Sequence, residues 1–348
     1  MKARLQQIDQ LRGLAACGIM LFHFVSFQYG ELASNQLLGR IGLYGVSLFY
    51  VISGIALGHI YGANTDDKPF PYKSFFIKRY VRLMPLFILA TLATVVASKS
   101  TFQVERVLLN LTGLFAVFDY DGGIATGSWS IGNEWVFYLL LPTLLAIMSY
   151  GRRWIQISSI LLIIALTFVF AWPGAIDLAS FWSSYIHPFN HLVFFVAGAV
   201  FGKYQLHLKP INWQTPVIGA IALLTFILLP VEGDRLALVT GMPRLVLSTA
   251  TILVALSWYR INIRFWPPIE KSLLYLGEWS YSIYMLHPRV WAIVIGLMKK
   301  STVILSPIGV ITLCILLTLT ASGITYRWLE LPCMQWVGRR VSLKKNIA

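Results

Sequence analysis

Ten apolar stretches recur along this chain, most of about 20 residues, the length that carries one helix across the ~30 Å hydrocarbon layer of a membrane. They fall near Ile8–Tyr29, Leu38–Tyr61, Phe75–Ser98, Trp129–Tyr150, Trp154–Trp172, Pro188–Tyr204, Pro216–Val231, Arg244–Tyr259, Leu273–Met298 and Thr302–Trp328. In lipid the backbone must satisfy its own hydrogen bonds, so stretches of this kind fold as helices. The expected fold class is all-α, a polytopic membrane protein with about ten transmembrane helices. Composition agrees: 57% of the 348 residues are hydrophobic and 12% charged, against about a quarter charged in soluble domains.

The formal charge of +14 sets the orientation. Basic residues collect on the cytoplasmic side of short loops. With both termini cytoplasmic, all but eight of the 28 lysines and arginines lie on that side, the exceptions being Arg40, Lys99, Arg106, Arg235, Arg244, Arg289, Lys299 and Lys300. The bias survives only if the short apolar segment near 104–118 does not cross, so an interfacial or re-entrant helix is expected there. The charges cluster at span ends and form no continuous stripe, which argues against nucleic acid as a partner and for the lipid bilayer. Residues 1–331 read as one transmembrane domain and 332–348 as a short basic cytoplasmic tail against anionic lipid. No signal-peptide cleavage pattern follows the first apolar run. Cys17, Cys314 and Cys333 lack disulfide or metal spacing and read as small hydrophobes; no metal site is expected.

Ionisable groups inside spans are costly and need a partner or a task. Arg12 and His23 are eleven residues apart on the first span, on one helix face and about 16 Å apart along the axis. Counted from the span ends, His23, Glu134 and His287 fall at one level in the outer half of the membrane. Plainer readings exist: a satisfied core imidazole for His23, a ring serving a carbonyl freed by Pro288 for His287, a structural ion pair for Glu134. Lys78, Arg79 and Arg82 stand at the cytoplasmic mouth of the third span, where arginine forks and a helix start suit phosphate oxygens. Ordinary topological flanking is the alternative. Phosphates held there leave about 16 Å to His23, the reach of an extended pantetheine arm. On the second span, small residues at 45, 54 and 58 permit close helix approach, and Ser53 either faces a site or bonds back to its own helix. Trp129 and Ser130 open the fourth span, where Trp129 could equally be interfacial belt. The hydroxyls around Tyr281 and Tyr284 suggest a polar cavity beside His287.

The order Ile8-Asp9-Gln10-Leu11-Arg12-Gly13 with His23, then Phe49 to Gly54, then Arg79 and Arg82, then Ser128-Trp129-Ser130 with Glu134, then Ser280-Tyr281-Ser282-Ile283-Tyr284 with His287, resembles the acyltransferase 3 family of membrane acyltransferases over essentially the whole chain. The resemblance implies a ten-helix core that takes an acyl group, usually acetyl, from acyl-CoA (acetyl-CoA) on the cytoplasmic side as co-substrate. The acceptor it implies is a hydroxyl of a glycan, exopolysaccharide or lipid-linked sugar, at a bacterial cytoplasmic (inner) membrane. It implies His23 as the catalytic histidine, Arg12 as its companion, and Arg79 and Arg82 as contacts to CoA phosphates. Two departures stand out. Trp135 follows Glu134 where a further polar or acidic residue is expected, which places the difference on the acceptor side. No segment reads as a fused extracytoplasmic esterase-like domain.

In that chemistry His23 is the general base for the acceptor hydroxyl or a transient acyl carrier, with Glu134 orienting its ring or stabilising the imidazolium. Ser53, Ser130 and Tyr281 are the candidate donors to a thioester oxyanion. Direct transfer and an acyl-histidine relay fit the residues equally. The competing class is a transporter or flippase that uses buried His and Glu for proton coupling.

Overall fold

The computed structural model describes residues 6–62, 69–98, 101–172, 174–204, 213–261, 263, 265–302 and 304–345, and among these it is helical with no strand. The helices are α1 (Gln6–Tyr29), α2 (Leu37–Leu57, continued by a π turn at Gly58–Gly62), α3 (Tyr72–Ala97), α4 (Val104–Thr112), α5 (Phe115–Phe118), α6 (Ser128–Tyr150), α7 (Arg153–Ala171), α8 (Leu178–Ile186), α9 (Pro188–Tyr204), α10 (Gln214–Leu228), α11 (Leu236–Val239), α12 (Gly241–Arg260), α13 (Pro267–Met298), α14 (Pro307–Thr325, continued by a π turn at Tyr326–Glu330) and α15 (Leu331–Lys345).

Seven of these helical segments are long and apolar enough to cross a membrane, and the bent pair α8 and α9, meeting at 51°, makes an eighth. The protein is an all-α polytopic membrane protein. Each of the ten expected stretches coincides with a helix. The two outside that count differ for physical reasons. α10 has 15 residues, and α13 has 32 but turns Ser280, Tyr281, Ser282, Tyr284 and His287 inward. A helix can be that polar inside a membrane when its polar face is covered by other helices. The segment near 104–118 forms α4, of nine residues, and α5, of four. Nine residues rise only ~14 Å, far short of the hydrocarbon thickness. At the other end, α14, its π turn and α15 follow one another without interruption through Leu331.

Close approach by glycine holds the interior elements together. A Cβ at Gly54 or Gly58 of α2 would lie 2.2 Å from the carbonyl oxygens of Phe195 and Ala199, and one at Gly198 or Gly202 of α9 would lie 2.1 and 2.2 Å from those of Val51 and Ile55. α2 and α9 thus touch backbone to backbone, the contact that small residues permit where no hydrophobic effect drives helices together. α1 and α13 pack in the same way at Gly13 and Gly277, where a Cβ on Gly277 would sit 2.1 Å from the Asp9 carbonyl oxygen.

Buried charges close the helix ends. Arg40, 2% exposed, donates to the carbonyls of Phe226 at 2.8 Å and Ile227 at 3.0 Å, at the C-terminus of α10. Those are acceptors that a helix end leaves without intrahelical donors, and the helix dipole adds to the attraction. Lys203 reaches the Gly62 carbonyl at 3.0 Å and the Ser149 hydroxyl at 2.7 Å, tying α9 to the ends of α2 and α6. α8 begins with a capping box, in which the Ser180 hydroxyl and N–H hold the Asp177 carboxyl below the usual carboxylate range.

Candidate functional site

Two adjoining cavities lie inside the bundle. The larger, about 540 Å³, is lined by Phe22, His23 and Phe27 of α1, Leu43 and Val46 of α2, the loop from Asp121 to Gly127, Trp129, Trp182, Tyr185, Arg235, and Tyr284 and His287 of α13. The smaller, about 60 Å³, is lined by Arg12, Phe49, Tyr50, Ser53, Arg82, Ser130, Glu134, Ser280, Tyr281 and Tyr284. Val46 and Tyr284 belong to both walls. The shared face of α1 predicted from the eleven-residue spacing is present, with His23 opening on the large cavity and Arg12 on the small one.

His23 is paired, and its partner is His287. His23 Nδ1 lies 3.0 Å from His287 Nε2, and the rings stack with centroids 4.9 Å apart. His287 is 1% exposed, and its Nδ1 lies 2.9 Å from the Ile283 carbonyl. That is the acceptor adjacent to the one Pro288 would free, since a missing N–H at 288 releases the carbonyl of Tyr284. Phe27 stacks on the outer side of His23 at 5.6 Å and Phe22 meets it edge-on at 5.0 Å.

Glu134 does not orient the His23 ring, contrary to the expectation from depth. Its carboxylate accepts the Ser53 hydroxyl at 2.8 Å and the Tyr138 hydroxyl. The levels differ because the first turn of α6 already lines the large cavity, through Ser128 and Trp129. Gly127, left-handed at φ +82, precedes it, and the Tyr284 hydroxyl lies 3.2 Å from the Gly127 carbonyl. The helix therefore begins at the level of the large cavity, and Glu134, two turns on, has already passed the histidines.

The small pocket carries a concentration of positive charge. Arg12 and Arg82 both line it, and Arg12 also lies within electrostatic reach of Asp9 and Glu134. Arg79 stacks its guanidinium over Phe75 and Tyr138, at 5.8 and 5.7 Å. Its Nε is buried with no partner among the described residues, as is Nε1 of Trp135. Trp135 packs against Tyr80 and Tyr138, so this departure from the family pattern sits beside Arg79 rather than at the large cavity. Lys78 is exposed. Two guanidiniums around one carboxylate, with an unused N–H nearby, suit an anionic ligand.

The three hydroxyls read as oxyanion donors are engaged elsewhere. Ser53 donates to Glu134, Tyr281 donates to the Leu83 carbonyl at 2.6 Å, and Ser130 lies 2.8 Å from the Tyr284 hydroxyl and 2.9 Å from the Gly127 carbonyl. Ser130 and Tyr284 together form the partition between the cavities.

The family model described as the acyltransferase domain, that of acyltransferase 3, matches residues 5–327. The chain belongs to the acyltransferase 3 family. It is similar to acyltransferase MdmB of Streptomyces mycarofaciens, with 24% identity over 380 residues that cover 97% of this chain and 93% of that one. No solved structure matches it. The chain is thus a membrane acyltransferase, which must bring an acyl donor and an acceptor together.

Parts of this acyltransferase site lay outside the sequence reading. Tyr138 follows Glu134 by four residues, one helical turn, and that spacing was available as a signal. His191, buried with Nε2 2.8 Å from the Tyr185 carbonyl and its ring 5.5 Å from Trp129, props the aromatic wall of the large cavity. Nothing in the sequence ties His191 to Trp129, because only the packing of α9 against α6 brings them together.

Proposed function

We propose that this chain is an acyl-CoA-dependent O-acyltransferase of the bacterial cytoplasmic membrane. It moves an acetyl group from cytoplasmic acetyl-CoA to a hydroxyl of a glycan, exopolysaccharide or lipid-linked sugar, with both termini cytoplasmic. The observation that carries this reading is the adjacency of the two cavities. A histidine opens on one, an arginine-lined pocket forms the other, Val46 and Tyr284 line both, and Ser130 of the smaller pocket bonds to Tyr284.

Arg79 and Arg82, with Lys78 at the surface, receive the donor's phosphates, and Arg12 holds the donor further in. Arg12 and His23 are separated by about 16 Å of helix, so Arg12 cannot touch the carbonyl that reacts at His23. Its task is on the donor. The pantetheine arm spans that distance past Ser53, Ser130, Glu134 and Tyr281, with Tyr284 turning aside at the partition. In the large cavity the faces of Trp129, Trp182 and Tyr185 suit the C–H faces of a sugar, and Asp121 and Glu31 accept its hydroxyls.

His23 removes the proton of the acceptor hydroxyl while the oxygen attacks the thioester carbonyl. The C–S bond then breaks, the C–O bond of the ester remains, and the sulfur takes the proton from the imidazolium and leaves as the free thiol. A donor and an acceptor that meet at one partition favour this direct transfer over a covalent relay.

Mass spectrometry of surface glycans from cells with and without the gene tests the acceptor, and thiol release from acetyl-CoA by the purified protein in lipid nanodiscs tests the donor. The reading expects one acetyl group per modified sugar to disappear with the gene, and thiol release that depends on acetyl-CoA. Unchanged glycans together with no thiol release would overturn it.

A further inference from the structure

We infer that His287 is a positioning residue that locks His23 in one tautomer, protonated at Nδ1, so that the bare Nε2 faces the large cavity. This rests on the proposed reading of His23 as the base. The inference follows from what each neighbour can do. The Ile283 carbonyl only accepts, so the His287 Nδ1 beside it at 2.9 Å carries a proton. A second proton on that ring would make it a cation, 1% exposed, at a depth where an unpaired charge is costly. His287 Nε2 is therefore a lone pair. His23 Nδ1, 3.0 Å from it, must supply the hydrogen. The Ile19 carbonyl, one turn back along α1, is a further acceptor for the His23 ring.

One proton remains for the neutral His23 ring once these are counted, and Nδ1 holds it. Nε2 is left unprotonated, on a ring that lines the cavity. In the other tautomer two lone pairs would face each other between the rings and the cavity would meet an N–H, which cannot accept a proton. The arrangement does with an imidazole what other sites do with a carboxylate, namely hold the base in the tautomer that can act. It also assigns His287 a task other than contact with the acceptor.

Nitrogen-15 spectra of the full chain in nanodiscs, labelled at its six histidines, test this directly, with His23 assigned by its loss in His23→Asn. The expected result is His23 protonated at Nδ1 in the native protein and a large Nε2-protonated fraction in His287→Leu. Turnover in His287→Leu is expected to fall about tenfold or more with the KM for acyl-CoA unchanged within about twofold. His287→Gln restores most of the rate, because its amide oxygen accepts from His23 Nδ1–H. If His287→Leu does not fold, the native spectrum and His287→Gln still decide the matter. A native His23 protonated at Nε2, or a His287→Leu with native tautomer and native turnover while His23→Ala is inactive, overturns the inference and leaves the base intact. An active His23→Ala overturns the base reading instead.

Discussion

Gly13 and Gly277 touch ten residues before His23 and His287 do. α1 and α13 therefore run parallel and in register, and ten residues of rise, about 15 Å, carry the glycine crossing to the histidine pair. The glycines remove the side chains that would hold the two helices apart, so the imidazole contact depends on a packing contact well away from it.

Gly277→Leu is accordingly expected to separate the helices and to lower acyl transfer at least about tenfold, since a misplacement near 1 Å costs on the order of a hundredfold in rate. Gly296→Ala, on the same helix but with open space around its Cβ position, is the matched control and keeps native turnover. Initial rates of thiol release for both variants in nanodiscs check this.

That register also marks what the sequence could and could not reveal. The apolar stretches, the inward-facing pair on α1 and the small residues of α2 were legible because helical rise and periodicity act locally. The partner of His23 was not, because whether it is Glu134 or His287 depends on where α6 begins, and that is set by the loop ending at Gly127. The large cavity was hidden for the same reason. Much of its wall comes from that loop and from α8, whose places are decided by tertiary packing.

Arg79→Lys and Arg82→Lys keep the charge but lose the planar fork that grips phosphate. Each is expected to raise the KM for acetyl-CoA by about tenfold, the effect of losing one charge-assisted hydrogen bond of ~1.5 kcal/mol, with kcat little changed. Arg12→Lys should behave in the same way. Saturation curves in acetyl-CoA, at fixed acceptor, distinguish this from a loss of chemistry.

Gly54→Ala places a methyl group on the Phe195 carbonyl oxygen. Overpacking of this kind costs about 1–3 kcal/mol, and here it also displaces Ser53, the hydroxyl next in sequence, from Glu134. A fall in thermal midpoint, together with reduced turnover in the fraction that remains folded, is the expected outcome in detergent-solubilised protein.

Arg40→Leu removes the donors that serve the end of α10 and leaves the Phe226 and Ile227 carbonyls unpaired. Each buried orphan costs about 1–3 kcal/mol. The variant should unfold at a markedly lower temperature while, once folded, binding acetyl-CoA with native affinity, because Arg40 lines neither cavity. Thermal melts with and without acetyl-CoA measure both quantities.

The central claim is that His23 performs the proton transfer for acyl transfer from acetyl-CoA. Its most direct test is the rate of acetyl-CoA-dependent thiol release, in nanodiscs with acceptor present, by native protein and by His23→Ala at equal folded concentration. A loss of about a hundredfold or more, with acetyl-CoA still bound at native affinity, is the result predicted for a missing general base. Native turnover in His23→Ala would contradict it.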